Sequence, residues 1–460
     1  MLTYDLEKRG KTPMYEYLYM CIRDDILSGN IMQDDKLPSK REMAKNHNIS
    51  VVTVENAYAQ LLVEGFIYAK EKRGYYASKV DGNWINNSEE IMPQTEEVKK
   101  EFVVDFTSNK IDIKNFPYAT WARLLRRTLL DEEAGFMETP HPQGVPELRL
   151  AIAEYLKDFR GLRVNPNNII VGAGMEYLYG IIVQLIGHNK MIGVEDPGYQ
   201  KISKVYESNG VKPIHLKLDK EGVVPKDVYD SKIYALHISP SHHYPTGIVM
   251  PVSRRQELLK WAVRMDKYII EDEYDSEFRF SGIPILPMAG LDNRNVIYMN
   301  TFSKTLANSI RIAYMVLPDK LMDKYREKLS FYSSTVSAFE QYTLAAFIKE
   351  GYYGRHINRM RNYYRDKRDR IVSFINTMPI KDKVNIIEAD AGLHFILEIK
   401  KKIDEDVFAE KLRERGVNIS SLSKYCYNRM DKFKRHFIIN YSDISSKDLK
   451  YALEMIDELI

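Results

Sequence analysis

Five short apolar runs, at residues 169–171, 191–194, 234–238, 268–270 and 296–299, alternate with longer stretches of helical periodicity. Strands separated by helical segments pair in parallel, with the helices crossing over the sheet faces. The pattern predicts an α/β domain built around a largely parallel sheet. In such sheets ligands sit outside the carboxyl ends of the strands, so the residues that follow each run are the first candidates for chemistry.

Residues 1–80 have a different texture. From 13 to 27, Met14, Leu18, Ile22 and Ile26 recur every four positions, and Ser28, Gly29 and Asn30 supply a stop. Ser39 is placed to cap a second helix, with Glu42 three residues on to return the bond. Ser50 caps a third helix running to about residue 64, with Val54, Ala57, Tyr58 and Leu61 on its inward face. Runs at 66–69 and 75–78 flank a basic turn and read as a hairpin. Three helices and a wing make a winged helix-turn-helix. Residues 81–100, rich in Asn, Gly and charge and without apolar period, read as a linker, and 101–460 as the second domain.

Composition narrows the class without naming it. At 44% apolar and 28% charged, the 460 residues describe a folded protein. The net charge is +3, and residues 1–80 hold twelve Lys and Arg against eleven Asp and Glu, so charge alone identifies no polyanionic partner. Two distant cysteines, Cys21 and Cys426, fit neither a disulfide framework nor a zinc cluster. The amino terminus lacks an apolar run with a cleavage site, and the most apolar stretch, 177–186, is about half the ~20 residues needed to span a bilayer. The expectation is a cytoplasmic protein with no membrane segment.

The carboxyl-end positions carry distinctive residues. Ile270-Glu271-Asp272-Glu273-Tyr274 leaves an apolar run. Residues two apart on a strand share a face, so Asp272 and Tyr274 point to one ligand while Glu271 and Glu273 point away. Gly172-Ala173-Gly174-Met175-Glu176 lies between a strand and an apolar helix, where helix-start amides can hold a phosphate. Asp196-Pro197-Gly198-Tyr199 ends another run and can set Tyr199 over a planar ligand; a surface turn is the plainer alternative. Ser303-Lys304, with Arg311 seven residues on, can take an aldehyde and its phosphate together, although a lone lysine is usually just solvated. His242 and His243 come with no matching ligand set, so no metal is expected.

The order of these pieces, with Ser239-Pro240-Ser241-His242-His243-Tyr244-Pro245-Thr246-Gly247 between them, resembles fold-type I aminotransferases. The segments 27–29, 37–44, 50–58 and 61–65 resemble the GntR-type winged helix. The combination resembles the MocR family of regulators over nearly the whole chain. That resemblance implies a large α/β domain with a smaller carboxyl-terminal α+β subdomain, and pyridoxal 5'-phosphate as cofactor. Lys304 would form the Schiff base, Asp272 pair with the ring nitrogen and Tyr274 face the phenolic oxygen. Ser303, Arg311 and the Gly174 and Met175 amides would hold phosphate, with Tyr199 and Tyr244 beside the ring. It further implies a homodimer that binds double-stranded promoter DNA and a small-molecule effector, either pyridoxal phosphate itself or an amino acid or amine. The DNA residues would be Ser39, Lys40 and Arg41 at the second helix, Ser50 and Thr53 at the third, and Arg73 and Gly74 at the wing tip.

The chain departs from those patterns at four places. Val51 stands where the winged-helix family often has a basic residue, and Tyr244 where aminotransferases carry asparagine. Lys201 replaces the arginine of an amine-responsive branch. No arginine lies within Phe437-Ile438-Ile439-Asn440-Tyr441, where aminotransferases clamp the substrate carboxylate; Arg435 is close but outside it. Lys201 and the missing arginine favour pyridoxal phosphate as effector over an amino acid or amine, and Tyr244 with the missing arginine argues against an authentic aminotransferase.

Overall fold

The computed structural model describes residues 2–80, 102–108, 110–130, 138–280, 285–428 and 433–460. The chain forms two compact units, Met1–Lys99 and Lys100–Ile460. The expected linker at 81–100 lies outside the described residues.

In the first unit α1 (Met14–Leu27), α2 (Lys40–His47) and α3 (Val51–Val63) precede β1 (Ile67–Lys70) and β2 (Gly74–Ala77), an antiparallel wing. The boundaries follow from local chemistry. Ser39 and Glu42 form a reciprocal capping box at α2, and Asn48, left-handed at φ 52°, ends that helix. Ser50 caps α3 by accepting from the Thr53 amide. Leu18, Ile22, Met43, Val54, Tyr58 and Leu61 close one buried core. The Tyr58 hydroxyl donates to the Pro38 carbonyl at 2.9 Å, fixing the α2 entry against α3.

The second unit begins with β3 (Val104–Asp105), which pairs in parallel with β14 (Val417–Asn418). Its centre is an eight-stranded sheet of β4 (Ile169–Gly172), β5 (Ile192–Asp196), β6 (Pro213–Asp219), β7 (Gly222–Val223), β8 (Ala235–Ile238), β9 (Tyr268–Glu273), β10 (Val296–Thr301) and β11 (Ala313–Val316). Their order is β4-β11-β10-β9-β8-β5-β6-β7. The strands β10, β9, β8, β5 and β6 run parallel, while β11 is antiparallel to both β10 and β4. Apart from β6, these strands are buried along their whole length, as expected of a sheet with a packed layer on each face. Because β4 is antiparallel to an antiparallel strand, its carboxyl end emerges on the same edge as those of β5, β8, β9 and β10.

A smaller antiparallel sheet, β12 (Val384–Ile387), β13 (His394–Ile399), β16 (His436–Asn440) and β15 (Ser420–Ser421), packs with the helices Glu405–Glu414 and Ser446–Leu459 around its own core. This is a winged helix-turn-helix joined to a fold-type I aminotransferase architecture, α/β with a smaller carboxyl-terminal subdomain. Among the described residues no helix is long and apolar enough to cross a membrane.

Candidate functional site

The carboxyl edge of the large sheet opens into a cavity of about 600 Å3. Met175 and Glu176 reach it after β4, Tyr199 after β5 and Tyr244 after β8. Asp272 lies on β9 and Tyr274 just after it, Ser303 and Lys304 follow β10, and Arg311 precedes β11. The alternation read from the sequence holds: Asp272 and Tyr274 line the cavity. Glu271 instead accepts from the Met288 and Ala289 amides at 2.6 and 2.9 Å, and Glu273 pairs with the buried Arg160 at 2.5 Å.

Asp272 is buried and asymmetrically bonded. Its Oδ2 accepts from the Tyr179 hydroxyl at 2.6 Å and lies 3.3 Å from His237 Nε2, while His237 Nδ1 meets the Tyr206 hydroxyl at 2.7 Å. Its Oδ1 is buried with no hydrogen-bond partner among the described residues. A buried carboxylate oxygen without a donor costs about 1–3 kcal/mol, so it calls for one from a ligand, and a protonated pyridine nitrogen supplies that donor. Ser303 Oγ is likewise buried and unpartnered. Lys304 lines the same cavity, and burial pushes its ammonium down to about 8, partly offset by the Asp275 carboxylate. A buried carboxylate with an open oxygen, an amine of lowered pKa and an open hydroxyl in one cavity fit pyridoxal phosphate.

The phosphate end is less open. Arg311 donates to Glu176 Oε2 at 2.6 Å, and Lys201 pairs with the other oxygen of the same carboxylate. These contacts outweigh burial and lower the Glu176 carboxyl to about 2. The Gly174 amide donates to the Gly172 carbonyl at 2.8 Å, so this expected phosphate donor is already engaged. Gly174 caps the helix Met175–Ile186 at φ 94°, and a Cβ there would lie 2.5 Å from Arg311 Nη2. Glycine is required at that point by the backbone, while a side chain there would push the flexible end of Arg311 aside.

The far wall is aromatic. The Tyr244 ring stands edge-on to Tyr199 at 5.7 Å and to Tyr425 at 5.5 Å, and the Tyr244 hydroxyl donates to that of Tyr425 at 3.2 Å. Asp196 holds the 425–428 segment over the cavity by accepting from the Tyr427 and Asn428 amides at 2.8 and 3.1 Å. Glu195, also in the cavity wall, is pushed up to about 8 by burial, although it accepts from the Ser239 amide at 2.9 Å.

The sequence showed no partners for His242, and here it is corrected. Donor atoms of His242, Asp275 and His394, all buried, lie within 4.8 Å of one another. Their contacts already form a hydrogen-bonded group: His242 Nδ1 is 3.0 Å from both Asp275 oxygens and 3.2 Å from the Tyr274 hydroxyl, and His394 Nε2 is 3.2 Å from the Pro245 carbonyl. Sequence reasoning also missed Tyr179, Tyr206 and His237. The absence of a clamp arginine has a structural counterpart. Arg435 sends its guanidinium to the Lys400 carbonyl at 2.7 Å and does not line the cavity. On β16, Phe437 and Ile439 face the core, and the opposite face carries Ile438 and Asn440.

In the first unit, Arg41, Lys45, Arg73 and Gly74 are exposed. Lys40 pairs with Glu55 at 2.6 Å, and the Ser50 and Thr53 hydroxyls bond each other at 2.8 Å.

Residues 14–76 match the family of bacterial regulatory proteins of the gntR type, and residues 102–456 match aminotransferase class I and II. The chain is 37% identical to the uncharacterized HTH-type transcriptional regulator YdeL of Bacillus subtilis, over 99% of this chain and 98% of that one. It is 30% identical to the probable rhizopine catabolism regulatory protein MocR of Rhizobium meliloti, over 98% and 94%. To the pyridoxine biosynthesis transcriptional regulator PdxR of Corynebacterium glutamicum it is 29% identical, over 88% and 87%. An archaeal alanine:glyoxylate aminotransferase superposes with a TM-score of 0.68 at 22% identity, covering 77% of this chain and 90% of that one, which places the fold.

Proposed function

Since the chain belongs to the MocR family, joining a GntR-type winged helix to an aminotransferase class I and II domain, we propose that it is a transcription regulator that senses pyridoxal phosphate. In this reading residues 1–80 bind promoter DNA in the cytoplasm as part of a homodimer, and 101–460 hold the cofactor. The observation that carries it is the pair of buried, unpartnered atoms, Asp272 Oδ1 and Ser303 Oγ, in residues that line one cavity with Lys304.

Bound there, pyridoxal phosphate supplies an aldehyde for a primary amine and an electron-withdrawing ring. Lys304 offers the amine, and burial makes its neutral form more accessible than that of a solvated lysine. Tyr179 and His237 hold Asp272 through Oδ2, which would leave Oδ1 for the ring nitrogen. Tyr274, just after β9, would face the phenolic oxygen, and Tyr199 and Tyr244, which also line the cavity, would lie beside the ring. Ser303 and Arg311 take the phosphate, with the Met175 amide at the helix start. Arg311 must then exchange Glu176 for the phosphate, a change at the cavity wall that couples cofactor binding to the surrounding structure.

The uncharged, hydrogen-bonded face of β16 argues against efficient capture of an amino-acid carboxylate and hence against an aminotransferase. The PdxR relative, a pyridoxine biosynthesis regulator by name, supports the cofactor itself as the effector. Anisotropy of DNA upstream of the protein's own gene tests the reading, with apo-protein alone, with pyridoxal phosphate, and with cofactor plus an amino-acid panel. A shift with cofactor alone, lost in Lys304→Ala, is expected. A shift only when an amine is added makes the amine the effector, and sustained transfer of the amino group to a keto acid makes the protein an enzyme.

A further inference from the structure

The exposed face of α3 is apolar where it begins. Val51 and Val52 are 43% and 63% exposed, and Asn56, exposed one turn beyond Val52, lies on the same face. The polar groups around them are engaged inside the protein. Ser50 Oγ accepts from the Thr53 amide at 3.1 Å and shares a hydrogen bond with the Thr53 hydroxyl at 2.8 Å. Glu55, the acid beside them, is paired with Lys40 Nζ at 2.6 Å, which offsets a charge that would otherwise repel a phosphate backbone. Arg41 and Lys45 on α2 and Lys72 and Arg73 on the wing are exposed cations in the same unit, free to meet a phosphate backbone.

Two isopropyl groups and a carboxamide therefore remain to meet a base edge. The apolar feature of the major groove is the C5 methyl of thymine, and a carboxamide matches adenine N6 and N7 with two hydrogen bonds. We propose, resting on the DNA-binding reading above, that Val51 and Val52 read thymine methyl groups while Asn56 reads adenine, so that the half-site under α3 is A·T at those positions. A basic residue directly after Ser50 would favour guanine; valine offers guanine neither donor nor charge. The departure at Val51 then changes which bases are read and leaves the mode of binding intact.

The test uses the full chain. Sites are first selected from a random duplex library, and each thymidine of the recovered half-site is then replaced by deoxyuridine, which removes only the methyl group. Expected is a loss of about fourfold in affinity at each contacted position, the equivalent of one methyl group returned to water. Val51→Ala or Val52→Ala, which keeps only one methyl, should shrink the penalty of the replacement at its own position. Both valines are exposed and alanine favours helix, so the variants should melt as the parent does. Half-sites that are G·C under α3, tolerance of deoxyuridine throughout, or a penalty unchanged in both variants overturns the proposal. Failure to retain any duplex would instead sink the regulator reading itself.

Discussion

Schiff-base formation with a cofactor aldehyde needs the lone pair of a neutral amine, so its rate should report the ionisation of Lys304. Burial lowers that ammonium from 10.5 to about 8, against the opposing pull of Asp275. At pH 7 about one amine in ten is then neutral, compared with about three in ten thousand for a solvated lysine, an advantage of about 300-fold. The assay mixes apo-protein with pyridoxal phosphate in stopped flow across about pH 6 to 10 and follows the visible absorbance of the imine. The rate constant should climb about tenfold per pH unit at the acid end and flatten near pH 8. An acetylated lysine control should keep rising to about pH 10. If the protein's curve tracks the control, burial does not set the reactivity of Lys304 and the reasoning fails. Flattening near 8 that survives in Lys304→Ala would assign the chemistry to another amine.

Two further outcomes follow from single contacts. Gly174→Ala forces a side chain into a region used almost only by glycine, at a cost of about 1–3 kcal/mol, and drives a Cβ against the Arg311 guanidinium. The variant should melt several degrees lower and bind pyridoxal phosphate at least about tenfold more weakly by titration; unchanged affinity would remove Arg311 from the phosphate site. Arg41→Ala should lower the slope of log affinity against log salt by about 0.9 if Arg41 neutralises one phosphate, measured by anisotropy on the selected duplex; an unchanged slope leaves Arg41 off the DNA.

What the sequence made legible is what neighbouring residues decide among themselves. The α2 and α3 starts need only Ser39, Glu42 and Ser50, and the facing of Asp272 and Tyr274 needs only the two-residue period of a strand. The surroundings of Asp272 have no such local signature. Tyr179 lies on the helix after β4, Tyr206 on the helix after β5, and His237 within β8, each at a position that reads as ordinary core. They meet because β8 and β9 are adjacent in the sheet, and adjacency is settled by packing across the chain. The same holds for β11, four residues long and antiparallel, which inserts between β4 and β10 and brings the Arg311 end of the chain beside Gly174. No period within Ala313–Val316 announces that insertion. Residues that define what a ligand offers can thus be found by pattern, whereas those that orient them, such as the Tyr206, His237 and Asp272 series, become visible only when the strand order is known. Tyr179 is the sharpest case: its periodicity marks it as a core residue of Met175–Ile186, and only its 2.6 Å bond to Asp272 shows that this part of the core belongs to the site.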